Sequence, residues 1–246
     1  MAEPGTSLPP PFDAGPGVSA VGRIPGVFFS PVRTFDSIAR RPTWLAPLLL
    51  WTLVSLAVTW VLLPKIDYER LTRQAMQRRG QTVSEDRLAS ITGQQKKFGA
   101  IFGWVAGGAA PAVISLLVAV VLWGAFKAFG WDLKFPQSFG VATHAFLPGV
   151  LKALFLMLLI TRQETVDPQA LGDLLRSNLG FLVESDSSKA LHSLLQSFDV
   201  FSLWSLVIFV IGFAAAARIK RGAAAGVIVT LWLLAVAIGV GWRMIF

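Results

Sequence analysis

The stretch DVFSLWSLVIFVIGFAAAARIKRGAAAGVIVTLWLLAVAIGVGW, Asp199 to Trp242, decides the fold. No charged residue occurs between Val200 and Ala217, or again between Gly222 and Trp242. Apolar runs of about 18 residues or more are long enough to cross a bilayer as helices. Only Arg218, Ile219, Lys220 and Arg221 separate the two runs, so they form antiparallel neighbours.

Three more charge-free runs lie upstream, at Pro42 to Pro64, Phe98 to Phe126 and Phe135 to Leu151. We expect five spans, from about Trp44 to Leu63, Phe102 to Lys127, Ser138 to Thr161, Asp199 to Ala217 and Ala223 to Trp242. Trp44 and Trp60 sit near the ends of the first, where amphipathic rings favour the interface. Pro111 is expected to kink the second span, and Pro148 with Gly149 to interrupt the third.

Composition agrees with this reading. The chain has 246 residues, 54% hydrophobic and 15% charged, with a mean hydropathy of +0.62. An ordinary soluble domain carries about 25% charged residues, so a soluble enzyme, a disordered chain and a secreted disulfide scaffold are excluded. The absence of cysteine removes disulfides, thiolate metal sites and cysteine nucleophiles. The formal charge of +8 is scattered beside the spans without an aromatic-interleaved basic stripe, which points to anionic lipid headgroups and away from nucleic acid.

The fold class expected is therefore all-α: a polytopic bundle of five transmembrane helices flanked by interfacial amphipathic helices. Residues 1–27, rich in Pro and Gly, read as a disordered tail, not a cleavable signal peptide, and residues 28–246 as the membrane domain. The first apolar run, after Arg40 and Arg41, is long enough to stay in the bilayer as a signal anchor, so the mature chain is expected to be the whole chain. Phe28 to Arg41 reads as an amphipathic helix capped by Ser30, with Pro31 in its first turn and Phe28, Phe29, Val32, Phe35 and Ile38 on one side. Such a helix lies in the headgroup plane, where Arg33, Arg40 and Arg41 meet lipid phosphates. Lys65 to Lys97 is expected to be helical with a break at Gly80 and a capping box of Thr82 and Glu85. Arg162 to Phe198 reads as two amphipathic helices, the first announced by Asp167 and Pro168.

Catalytic signatures are missing: the sequence contains no GxxxxGK[ST], HExxH or GxSxG, and only two histidines, His144 and His192. No catalytic residue, metal ligand or cofactor site is assigned. The candidate polar site within the membrane is His144, Pro148, Lys152 and Asp199. Lys152, deep in the third span, either snorkels or pairs, with Asp199 the acidic partner in view; Asp199 also suits the cap of its own helix. His192 reads as a solvated side chain. Gly99, Gly103 and Gly107, with Gly222 and Gly226, are the candidate helix-packing residues.

The segments FFSPVRTFDSIARRPTWLAPLLL (Phe28 to Leu50), SFGVATHAFLPGVL (Ser138 to Leu151) and SFDVFSLWSLVIFVIGF (Ser197 to Phe213) resemble the Yip (Ypt/Rab-interacting protein) membrane family in its bacterial branch. The last is the most specific, an Asp-x-Phe-x-x-Trp start to a span formed by Asp199, Phe201 and Trp204. The resemblance covers residues 28 to 242 and implies a five-helix integral membrane domain with a cytosolic N-terminus. Eukaryotic members are associated with Rab-type GTPases, vesicle traffic and membrane shaping. The short Gly/Pro and Tyr motifs of those members do not occur here, so Rab binding does not carry over.

Two functions follow as expectations. The first is a non-enzymatic, membrane-organising or trafficking-type adaptor in contact with lipid headgroups, partner proteins or a second copy. The alternative is a lipid or small-molecule transporter or scramblase using the broken third span. Arg40, Arg41 and the basic turn after the fourth span abut the membrane and favour a cytoplasmic N-terminus and an outside C-terminus, in a bacterial inner membrane.

Overall fold

The computed structural model describes residues 19–81, 84–183 and 188–245. Within them, α1 (Arg23–Phe29) and α2 (Pro31–Arg40) precede α3 (Leu45–Leu62). A short 3₁₀ turn, Leu63–Lys65, leads to α4 (Tyr68–Arg78) and then to α5 (Glu85–Ala128). The third span is two helices, α6 (Phe135–Ala145) and α7 (Leu147–Thr161). After 3₁₀ turns and the four-residue α8 (Leu171–Leu174) come α9 (Lys189–Ser197), α10 (Val200–Ala217) and α11 (Arg221–Ile245). The described residues contain no strand, only isolated bridges at Ile66–Val166 and Asn178–Asp199.

Five segments are long and apolar enough to cross a membrane: Leu45–Lys65, Glu85–Ala128, Phe135–Thr161, Val200–Ala217 and Arg221–Trp242. Two faces are thereby defined. The basic-turn face carries Arg40, Arg41 and the turn at Arg218 to Arg221; the opposite face carries α4, α8 and α9. α10 is central, packed by α2, α6, α7 and α11, while α3 lies against α5 and α7. The core joins Phe35, Ile38, Phe126, Val141, Ala142, Ala145, Phe209 and Phe213. α10 closes through Arg218 in the left-handed region, φ 55, with the Ile219 amide donating to Ala214 O over 3.0 Å, the geometry that turns a chain sharply out of a helix.

Several local expectations are revised. Helical order starts at Arg23, inside the segment expected as tail, and both Arg23 and Val27 are buried. Phe28 to Arg41 is not one interfacial helix. Its backbone breaks at Ser30, which makes no side-chain cap bond, and α2 buries Thr34, Phe35 and Ile38 against the bundle while Phe29 is 85% exposed. The apolar residues thus divide between two helices, since a break in helical phase sends Phe29 and Phe35 to different surroundings.

α5 runs unbroken through Pro111, which is buried inside it. Gly80 does break α4 from α5, at φ +65; α5 starts at Glu85 after Ser84, and Thr82 lies outside the described residues. The first expected helix of residues 162–198 is replaced by short turns, because Ser177 and Asn178 leave helical geometry to pair with the base of α10: the Val200 amide donates to Ser177 O at 2.9 Å.

Candidate functional site

Asp199 caps α10. Its Oδ1 accepts from the amides of Phe201 (3.0 Å) and Ser202 (3.2 Å), satisfying two of the donors a helix start leaves open. Its Oδ2 accepts from the Ser177 hydroxyl and lies 3.0 Å from Lys152 Nζ. The carboxylate is 2% exposed and the lysine 29%. Removing a carboxylate from water costs several kcal/mol, and four partners offset that cost here.

The site is built by three elements remote in sequence. α7 brings Lys152 from within the third span, α10 supplies Asp199, and the loop after α8 supplies Ser177. The same loop is tied down by Asn178, whose Nδ2 donates to Gly172 O (2.8 Å) and whose Oδ1 accepts from the Gly180 amide (2.8 Å). Gln196 Nε2 donates to Asp173 Oδ1 at 2.8 Å, and His192 Nε2 stands 3.3 Å from the same oxygen. His192 is therefore largely buried and held, not solvated as its sequence position implied. A cleft of about 410 Å³ opens beside Lys152, lined by Asn178, Ser193 and Gln196 on one side and by Trp232, Ala235 and Gly239 of α11 on the other.

His144 and Pro148 are not part of this arrangement. His144, near the end of α6, is 0% exposed and bonds its own helix, Nδ1 to Gly140 O at 2.8 Å. Its Nε2 makes no hydrogen bond among the described residues. Pro148 is buried in the first turn of α7. The break in the third span is filled by protein: Ala145, Leu147 and Val150 are buried. The four candidates thus separate into an ion pair at one face and a sealed helix junction.

The packing glycines also divide. A Cβ at Gly99, Gly103 or Gly107 would meet Tyr68, Leu63 or Thr59, so this row seats α5 against α3, the turn after it and α4. Gly222 and Gly226, expected to pack in the same way, have nothing within 4 Å of such a Cβ; the α11 surface carrying them faces away from the bundle. Arg33, Arg40 and Arg41 all have exposed side chains. Opposite, Arg73 links Glu69 (2.9 Å) and Glu85 (2.7 Å), tying α4 to α5, and these two partners hold the guanidinium pKa above its ordinary value.

Ser177, Asn178 and Arg23 were invisible as site or anchor residues in the sequence. Ser177 and Arg23 reach partners at least eighteen positions away, and Asn178 is bridged by its backbone to Asp199, contacts that no local pattern signals; only the turn of Asn178 onto Gly180 is local. Among the described residues no group of acids and histidines could hold a metal ion.

The Yip1 domain profile matches residues 26–242. The chain is also similar to "Membrane protein YknW" of Bacillus subtilis (strain 168), 27% identical over 189 residues that cover 76% of this chain and 75% of the relative. No solved structure matches it. The matched range runs from α1 to near the end of α11, so it takes in the span architecture and the Lys152–Asp199 pair together. On that extent of match, the chain belongs to the Yip1 domain family.

Proposed function

We propose that this protein is a non-enzymatic organiser of the membrane, working through contacts with lipid headgroups and with protein partners, with its basic-turn face in the cytoplasm of a bacterial inner membrane. The observation that carries this reading is the sealed helix junction within the third span. His144 is closed in by its neighbours and the helix junction beside it is packed with Ala145, Leu147 and Val150, so the broken span supports a fixed bundle better than a path across it. Arg33, Arg40 and Arg41 stand exposed on or beside α2 and suit anionic headgroups of the leaflet at that face.

The test uses purified protein in neutral detergent, titrated with phosphatidylglycerol or phosphatidylcholine while its unfolding temperature is followed. Phosphatidylglycerol should stabilise the native chain more than phosphatidylcholine does, and the triple variant R33E/R40E/R41E should lose the difference. Equal stabilisation of both proteins would remove the headgroup contacts from the reading.

A second reading, movement of lipid between leaflets, is favoured by one observation: the open cleft beside Lys152, polar on one wall and apolar on the other. Labelled-lipid translocation in reconstituted liposomes decides between the two. The organiser reading expects no movement above empty liposomes; rapid movement abolished by Lys152→Ala would replace it.

A further inference from the structure

The pair α1–α2 is a helical hairpin closed at its open end. The Arg23 guanidinium donates to Arg41 O (2.8 Å), Thr43 Oγ1 (2.6 Å) and Ser37 Oγ (2.9 Å), so the first residue of α1 and the residues just after α2 lie side by side. Gln137 Nε2, in the first turn of α6, donates to Ala39 O at 2.8 Å, which sets this mouth at the basic-turn face. Inside the hairpin the helices touch closely, since a Cβ at Gly26 would collide with Thr34.

Its direction follows from two contacts along α10. Near the tip, the Phe28 ring packs edge-on to Trp204 with centroids 5.4 Å apart. Farther along α2, Phe35 closes on Gly212, where a Cβ would meet it. α2 therefore runs beside α10 in the same direction, its end at the basic-turn face and its start well inside the span. At about 1.5 Å per residue, α2 covers about 15 Å, half of a hydrocarbon core about 30 Å thick.

The tip meets part of the demand that hydrocarbon makes on a backbone. Water cannot satisfy backbone groups there, so the chain has to do so itself. The Ser30 amide donates to Gly26 O (2.8 Å), and Ser30 O accepts from the Thr34 amide (3.1 Å) and hydroxyl (2.9 Å). Pro31, at the first position of α2, has no amide hydrogen to leave open. Phe29 beside the tip is 85% exposed, an orientation that suits acyl chains. Arg33 and Asp36 stand on the outer face; Arg33 lies about 10 Å along the helix from Arg40, a distance its long side chain shortens by snorkelling toward the mouth.

We propose that α1–α2 is a re-entrant hairpin that enters the bilayer from the basic-turn face, ends near the midplane at Phe29–Ser30, and presents Phe29 and Val32 to the acyl chains of that one leaflet. The protein then occupies more cross-section in that leaflet than in the other. The inference concerns burial depth; Arg40 and Arg41 stand at the headgroups whether it holds or fails, and Arg33 reaches them from the hairpin only by snorkelling.

The chain has no cysteine, so single-cysteine variants can be spin-labelled without background and reconstituted in phosphatidylcholine/phosphatidylglycerol vesicles. Phe29→Cys and Val32→Cys are compared with Leu53→Cys, on the exposed apolar surface of α3, and Asp132→Cys, in the polar loop between α5 and α6. Collision with oxygen and with a water-soluble nickel chelate is read at each site. The expected result is nickel access at positions 29 and 32 about tenfold below that at 132 and close to that at 53, because polar reagents are excluded from hydrocarbon. Nickel access at 29 equal to that at 132, or intermediate values at both sites, would place the hairpin at or outside the interface and overturn the proposal. All four substitutions are at exposed positions, so the fold is expected to survive them, and a circular-dichroism melt of each variant checks this.

Discussion

At the start of α10 the helix is anchored by charge: one buried carboxylate gathers two amides, a hydroxyl and an ammonium. Some three turns farther on the same helix is held by shape, where Gly212 lets Phe35 and Val141 close on its backbone and the Phe126 ring packs at a tilt on Phe213, centroids 5.0 Å apart. The first arrangement is directional and tolerates an open cleft at its side. The second is dry, and any change of volume is felt because packed interiors leave few voids. The electrostatic end joins the loop to the bundle, whereas the steric end joins the N-terminal hairpin to it.

The sharpest way to break the steric end is Gly212→Leu, which places a side chain where Val141 and Phe35 already stand. Overpacking costs about 1–3 kcal/mol in cores that can relax, and more where backbone blocks the way. We expect the largest loss of thermal stability from this variant, together with release of α2, read as new protease cleavage between Arg23 and Arg40.

The ionic end should follow closely. Asp199→Ala removes a helix cap worth about 1 kcal/mol and breaks a buried ion pair, a loss of about 3 kcal/mol when the remaining charge cannot rehydrate. Lys152 is partly exposed and can reach water, so the total should fall below the sum of the two. Asp199→Asn keeps an acceptor for the cap. A double-mutant cycle of Asp199→Asn with Lys152→Met should return a coupling of about 1–3 kcal/mol. Additive losses would mean the two groups contribute independently, leaving Asp199 to the cap and the Ser177 hydroxyl.

The glycine rows give a smaller and more selective contrast. Gly103→Leu, against Leu63, should destabilise by about 1–3 kcal/mol, while Gly226→Leu should stay within about 0.5 kcal/mol. Chemical denaturation in one detergent measures both, and equal effects would show that α11 packs on a surface not present within a single chain. Least of all should R33E/R40E/R41E change stability in neutral detergent, since all three side chains are exposed; their effect is expected only when anionic lipid is added.

From the sequence by itself came the number of spans, their approximate limits, the antiparallel turn between α10 and α11 and the family, because apolar length and the spacing of charges are local properties that a bilayer reads directly. The pairing of Lys152 with Asp199 was legible as one of two options, since a lysine that deep needs either water or an acid. Tertiary structure decided the rest. It put His144 in a sealed junction and Lys152 at an open cleft although they share one span, because the middle of α10 packs over the first while Asp199 at its start and the Ser177 loop meet the second. It turned an apparent surface helix into a hairpin against α10, because Arg23, a single basic residue in a Pro/Gly-rich stretch, finds its acceptors at Ser37, Arg41 and Thr43 only when the chain folds back. Such contacts join residues fourteen or more positions apart, and the free energy that selects them comes from packing and hydrogen bonding across elements, which no periodicity within one element records.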